Sequence, residues 1–337
     1  MRGSRQVRLR LALPWLAESF ATGESDVAAP LRAPSAEWLV ARSRTPGTRP
    51  AGWRAWLLEG TGAPADLLER FPAGPCTRAA QVASAPRGTW ACARPVHLLT
   101  AIEHLQFGST GVVLGERERA ALCRDLNAHF ADRGYAFHAH GDGLDWAVQC
   151  PPLVSCSSPE PAGLVGRNLR DLLPSGPDGA TITVLMNEIQ MLLHEHPVNA
   201  ERATRGLPIV NALWLWGFGS ASAVAPVALA RLATDDAWLA GLWHLHGAAA
   251  LESVDLARLL PDTRHGGLLG WSRPPEGDAR ERLAQAERWC FQPARSALTG
   301  RRVEAIDLLL GDHTHTVDRS ARWRFWRRSR PLAETCA

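Results

Sequence analysis

The chain contains no lysine: every one of its 37 Lys/Arg positions is arginine. That excludes a Walker lysine, a Schiff-base lysine and a lysine general base from its chemistry. Tyrosine occurs once, at Tyr135. The cysteines number seven, an odd count with no C-x-x-C pair and no zinc spacing, so buried, reduced thiols are expected. Net charge is only +3, far from the electrostatic footprint of a nucleic-acid binder. No apolar run approaches the length of a membrane span, and the run after Arg8 and Arg10 is cut short by Pro14, unlike a signal peptide. These absences predict a cytoplasmic protein with neither a nucleic-acid nor a membrane partner.

What is present is tryptophan, 14 residues of it, in a chain that is 46% hydrophobic and 21% charged. Bulky indoles go mostly to cores and interfaces. Val7, Leu9, Leu11 and Leu13 alternate with Arg8, Arg10 and Ala12, which predicts a first strand over residues 6–13. A strand is expected at 90–98, an amphipathic helix at 116–133 and a hairpin over 135–150. Residues 72–88 read as a loop-rich connection. Further on, helices are expected at 224–232, 278–296 and 320–328, a strand at 239–246, and a hairpin over 303–317 turning at Gly311–Asp312. The pattern predicts an α/β protein with a mixed, mostly parallel sheet, flanking helices and two β-hairpins, with α+β as the alternative. The Pro/Ser/Cys-rich stretch 151–161 reads as a linker between a region at 1–150 and one at 162–337.

The most informative stretch is 187–219. Ile189, Leu192, Leu193 and His196 fall at helical spacing, and Pro197 ends that helix. Asn199 reads as the cap of a short second helix, Gly206 as its left-handed exit and Pro208 as a bar to continuation. Ile209, Val210, Ala212, Leu213, Trp214, Leu215 and Trp216 make a run apolar on both faces, as in a buried strand, which leads into Gly217-Phe218-Gly219. A strand ending in a G-x-G turn brings backbone N–H groups close to an anion. The candidate ligand-binding residues are therefore His196, Asn199, Arg202, Asn211, Gly217 and Gly219, and the candidate ligand is a phosphorylated small molecule. Local backbone needs alone also account for His196 and Asn199.

At His196, Pro197, Asn199, Arg202, Gly206, Pro208, Asn211, Gly217 and Gly219 the chain resembles a segment of archaeal-type, cofactor-independent phosphoglycerate mutases. More widely it is similar to bacterial RpfE-type regulatory proteins, through W-A-C-A-R-P-V-H-L from Trp90, N-E-I-Q-M-L-L-H from Asn187 and R-W-R-F-W-R-R from Arg322. The mutase resemblance implies a serine nucleophile and two divalent metals, manganese or magnesium, held by Asp and His residues. It implies an Asp-Gly after the first strand, where this chain has Pro14-Trp15-Leu16-Ala17. Asp312 and His313 resemble the late Asp-His ligand pair, and are weak metal candidates beside the hairpin-turn reading. Most of the ligand set is not placed, so no catalytic residue is assigned and no cofactor is expected unless the mutase reading holds.

Two other features draw attention. His244 and His246 would share one face of a strand, as metal ligands can, but lack a third ligand. In Arg322–Arg328 the aromatics are expected to dock as a cap while the arginines fan outward. Three readings follow: a regulator that binds a phosphorylated small molecule without mutase catalysis, a metal-dependent phosphoglycerate mutase, or a protein-binding scaffold.

Overall fold

Alternation in the first strand decides which side of the sheet becomes core. Leu9, Leu11 and Leu13 are fully buried on one face, while Arg8 and Arg10 lie on the other. The computed structural model describes residues 7–16, 31–44, 47–48, 52–59, 66–100, 105–108, 111–140, 144–152, 155–161, 164, 166–221, 230–262, 266–275, 277–324 and 326–332. The strands are β1 (Arg8–Leu13), β2 (Gly47–Thr48), β3 (Thr89–Val96), β4 (Leu98–Thr100), β5 (Leu105–Phe107) and β6 (Ala136–His138). They continue as β7 (Trp146–Cys150), β8 (Ala212–Gly219), β9 (Arg231–Thr234), β10 (Gly267–Gly270), β11 (Ala305–Leu310) and β12 (His313–Asp318). The main helices are α1 (Pro34–Ala41), α2 (Trp53–Leu58), α3 (Ala73–Val82), α4 (Glu116–Phe130) and α5 (Gly179–His194). After them come α6 (Pro197–Thr204), α7 (Ala237–Leu245), α8 (Ala279–Ala286) and α9 (Gln292–Thr299), the last two joined by a π-helical turn at Glu287–Phe291.

The chain divides into two compact units, one of Met1–Ala65, Val227–Trp243 and Ala248–Ala337, the other of Asp66–Pro226 and His244–Gly247. The stretch 151–161, expected as a linker, lies within the second unit.

The first unit holds a six-stranded sheet in the order β2-β12-β11-β1-β10-β9. Its β11, β1, β10 and β9 are parallel, β12 runs against them, and the short edge strand β2 is antiparallel to β12. Leu9, Leu11, Leu269, Ile306 and Leu308 pack against Leu39, Leu283, Cys290, Phe291 and Leu298 from α1 and the α8–α9 run. On the other face the Arg10 guanidinium lies over the Trp56 ring of α2, 4.3 Å from its centroid.

The second unit holds an antiparallel sheet, β6-β7-β3-β8, and the small pair β4-β5. The α/β class and both hairpins, β6-β7 and β11-β12, stand as read from the sequence. The strands divide between sheets, however, so the mostly parallel character belongs to the first unit's sheet alone.

Four local expectations are corrected. Residues 73–82 form α3, because Gly74 and Pro75 sit in its first turn, where a missing N–H costs no helical bond. Residues 239–246 are mostly α7, since a segment apolar all round gives no period and Asp236 offers Leu239 N–H a carboxylate at the helix start. Of the helix expected over 320–328 only a 3-10 turn, Arg319–Trp323, forms among the described residues, and Phe325 lies outside them. Arg231 and Leu232 belong to β9 instead of a helix, and residues 222–229, where that helix would start, lie outside the described residues. No helix among the described residues is long and apolar enough to cross a membrane.

Candidate functional site

The stretch 187–219 folds as helix α5, a break, helix α6 and strand β8, with Leu213, Trp214, Leu215 and Trp216 all buried. Pro197 occupies the first turn of α6, and Gly206 takes the left-handed conformation at φ 66° just beyond it. The cap of α6 is His196 and not Asn199, because the His196 Nδ1 accepts the Val198 N–H at 3.2 Å.

Asn199 instead sits inside the first turn, buried. Its Nδ2 donates to the carbonyls of Leu193 (2.8 Å) and Val210 (2.7 Å), and its Oδ1 accepts Val210 N–H at 2.8 Å. It thereby ties the end of α5 to the segment entering β8. Asn211 does the same for β4: its Oδ1 accepts Leu98 N–H at 2.7 Å and its Nδ2 donates to Leu98 O at 2.8 Å.

The two charged contacts run from α6 to α4. Arg202 Nη1 lies 2.8 and 2.9 Å from the Glu118 carboxylate oxygens, and its Nε donates to Pro208 O at 2.7 Å. Glu118 also accepts Gly115 N–H, closing the start of α4. His196 Nε2 lies 3.1 Å from Asp125 Oδ2, two helical turns along the same face of α4. Since Nδ1 accepts from Val198 N–H, Nε2–H donates the hydrogen bond that the Asp125 carboxylate accepts. The Asp125 carboxyl is held below its usual range, mainly by the hydrogen bond from Arg124 and then by that from His196. Glu118 and Asp125 escaped the sequence reading, although their spacing of seven on an amphipathic helix was the signal available.

Gly217 and Gly219 lie within β8, against the start of α3. Gly217 has φ 64°, and a Cβ there would stand 2.7 Å from Ala73 Cβ. At Gly219 a Cβ would stand 2.5 Å from Pro72 Cγ. The glycines let helix and sheet approach closely, with the ladder to β3 shifting register between Trp90 and Cys92. The structure thus brings His196, Asn199, Arg202 and Asn211 together as a bracing network, with both ring nitrogens of His196 already engaged inside it.

In the first unit, open α/β sheets bind ligands outside the carboxyl ends of their strands. Here that edge carries Trp15 after β1, Asp235 and Asp236 after β9, Trp271 after β10, and Asp312 with His313 at the β11–β12 turn. Trp15 and Trp271 meet edge to face at 5.3 Å, and Trp271 stacks on Trp289 at 5.7 Å. Asp236 is gripped by Arg54 Nη2 at 2.7 Å, and that guanidinium lies 4.7 and 4.9 Å from the Trp53 and Trp238 rings. Asp235 accepts Ser272 N–H at 2.7 Å and faces Arg273 Nε at 3.4 Å; burial pushes its carboxyl up, and the Ser272 N–H offsets this in part. Among the described residues no group of three or more His, Cys, Asp or Glu is placed to hold a metal ion. Gly311 and Asp312 form the hairpin turn, with Gly311 N–H donating to Leu13 O, and His313 opens β12 opposite Leu310. His244 lies in α7 and His246 just past its end, where its ring meets Phe71 at 5.2 Å, so the shared strand face expected of them does not form.

Comparison with known proteins bears on the same chain. A stretch of 61 residues, 18% of the chain, is 41% identical to a 2,3-bisphosphoglycerate-independent phosphoglycerate mutase of Methanothrix thermoacetophila. A longer stretch of 139 residues, 38% of the chain, is 27% identical to the enzyme of that name from Methanosarcina barkeri. Segments of this chain resemble cofactor-independent phosphoglycerate mutases. These matches span only 16% and 33% of the two mutases' own lengths. A solved cofactor-independent phosphoglycerate mutase from Thermoplasma acidophilum superposes over 93% of this chain and 89% of its own, with 18% identity and a TM-score of 0.39. No family model matches the chain.

Proposed function

We propose that this chain is a mutase-like, RpfE-type regulatory binding protein that does not interconvert phosphoglycerates. The observation that carries this reading is the state of the strand-end carboxylates: Asp236 is neutralised by Arg54 and Asp235 is held by Ser272 and Arg273. Carboxylates already paired with guanidinium and backbone N–H groups are poorly disposed to take up divalent metals. Trp15 and Trp271 pack between these carboxylates and the β11–β12 hairpin that carries Asp312 and His313.

A phosphorylated small molecule remains the ligand class proposed, at a different place from the glycine turn, whose space Pro72 and Ala73 fill. A cavity of about 420 Å³ in the first unit is lined by Arg8, Arg44, Arg319, Thr316 and Ser320, with Glu304 and Asp318 beside them. Arg44 pairs with Asp318, Arg8 with Asp307 and Arg319 with Glu304, so a phosphate ester would enter by exchanging with these carboxylates for guanidiniums that suit it. A thermal-shift screen with 3-phosphoglycerate and nucleotides tests it, because a ligand bound only by the folded state raises its stability. A shift that Arg44→Ala abolishes supports the reading; no shift from any phosphorylated compound favours the scaffold reading instead.

The 41% identity stretch favours a second reading, a metal-dependent mutase. It requires Asp312 and His313 to gather manganese or magnesium together with further Asp or His side chains.

A further inference from the structure

We infer that Trp323 and Trp326, with Arg327, Arg328 and Arg330, form a docking surface for an anionic lipid surface. The inference is independent of the mutase question. It starts from an inversion of the expected arrangement, in which aromatics were to dock and arginines to face outward. Arg324 Nη1 donates to Arg42 O and Arg327 Nη1 to Ser43 O, both at 2.6 Å, so these arginines turn inward and pin the segment. Trp323 and Trp326 are left 63% and 65% exposed. Trp15, Trp53, Trp146, Trp214 and Trp271, by contrast, are no more than 7% exposed, so this chain buries its indoles wherever the core accepts them.

Charge selects the occupant. From Arg319 to Ala333 the sequence has six arginines and no acidic residue. Arg319 faces Glu304 at 3.8 Å and Arg324 faces Asp318 at 3.9 Å, whereas the bond from Arg327 to a carbonyl leaves its charge in place, and Arg328 and Arg330 are exposed. Indole rings favour the level of lipid headgroups, and arginine pairs with their phosphates. A surface of this composition needs no preformed groove, because two projecting rings enter the interface and the flanking guanidiniums meet anionic headgroups. Single-stranded nucleic acid also stacks on aromatics, but it calls for a basic groove that tracks the backbone. Neither cavity bordering Arg319 includes Trp323 or Trp326 in its lining.

The test is co-sedimentation of the full chain with vesicles. Binding is expected to equimolar phosphatidylcholine–phosphatidylserine vesicles, to weaken as salt is raised, and to be absent with phosphatidylcholine alone. Trp323→Ala with Trp326→Ala should abolish it. Arg328→Ser with Arg330→Ser should weaken it by about twentyfold or more. Both pairs are exposed, so unchanged far-UV circular dichroism is expected and keeps the comparison clean. Failure to pellet with the anionic vesicles overturns the inference. So does equal binding to neutral vesicles, undiminished binding by the tryptophan variant, or binding of single-stranded DNA in place of vesicles.

Discussion

Arg54 and Asp236 form a buried ion pair at the carboxyl edge of the parallel sheet, with Nη2 and Oδ2 2.7 Å apart and both side chains 7% exposed. Asp236 also accepts Leu239 N–H, so one carboxylate fixes the start of α7 and balances the guanidinium. Removing Arg54 leaves that charge buried and unpaired. Arg54→Met should therefore cost about 3–5 kcal/mol in chemical denaturation, whereas Arg54→Met with Asp236→Asn should recover part of the loss. Equal stability of the single variant and the parent would show that the pair is not the structural lock described.

Arg202 is equally internal. Its guanidinium bonds Glu118 and the Pro208 carbonyl while 5% exposed. Arg202→Ala should lower stability by about 2–3 kcal/mol, the usual worth of charge-assisted hydrogen bonds. A drop below the error of the denaturation curve would reopen a ligand-binding role for this arginine.

Gly219 is required by packing. Gly219→Ala places a methyl 2.5 Å from Pro72 Cγ, and overpacking of this kind costs about 1–3 kcal/mol. The midpoint of thermal unfolding should fall with no ligand present. An unchanged midpoint would mean that the helix yields freely and that the glycine serves something else.

His315 supplies a pH dependence. Burial, helped by His313, pushes its imidazole down from 6.5 to about 4, and among the described residues its buried Nε2 has no hydrogen-bond partner. The unfolded chain takes up this proton first as pH falls, so stability declines from about pH 6.5 toward pH 4, by on the order of 3 kcal/mol. Denaturation of wild type and His315→Gln at neutral pH and near the lower limit measures the difference. Identical pH slopes would contradict the assignment.

The helix–break–helix–strand course of 187–219 was legible because Pro197 and Gly206 act through their own backbones, whatever lies around them. The apolar run to Trp216 gave the buried strand for the same reason. Asn199 was placed correctly on the chain and wrongly in role, since its partners Leu193 and Val210 come together only once the helix break has formed. Helix α7 was misread because Leu239, Leu242 and Trp243 are buried with apolar neighbours on all sides, leaving no polar face to set a period. The Arg54–Asp236 pair joins residues 182 positions apart, and nothing local in either sequence points to the other. The outward turn of Trp323 and Trp326 depends likewise on the carbonyls of Arg42 and Ser43, supplied from the opposite end of the chain.

The most direct measurement is a coupled assay of 3-phosphoglycerate to 2-phosphoglycerate conversion by the purified chain, with and without manganese. No conversion above background is expected in either condition, because Arg54, Arg273 and Ser272 hold the strand-end carboxylates. Conversion that rises with manganese, disappears with chelator and is lost in Asp312→Asn would contradict the proposed function and establish the mutase reading.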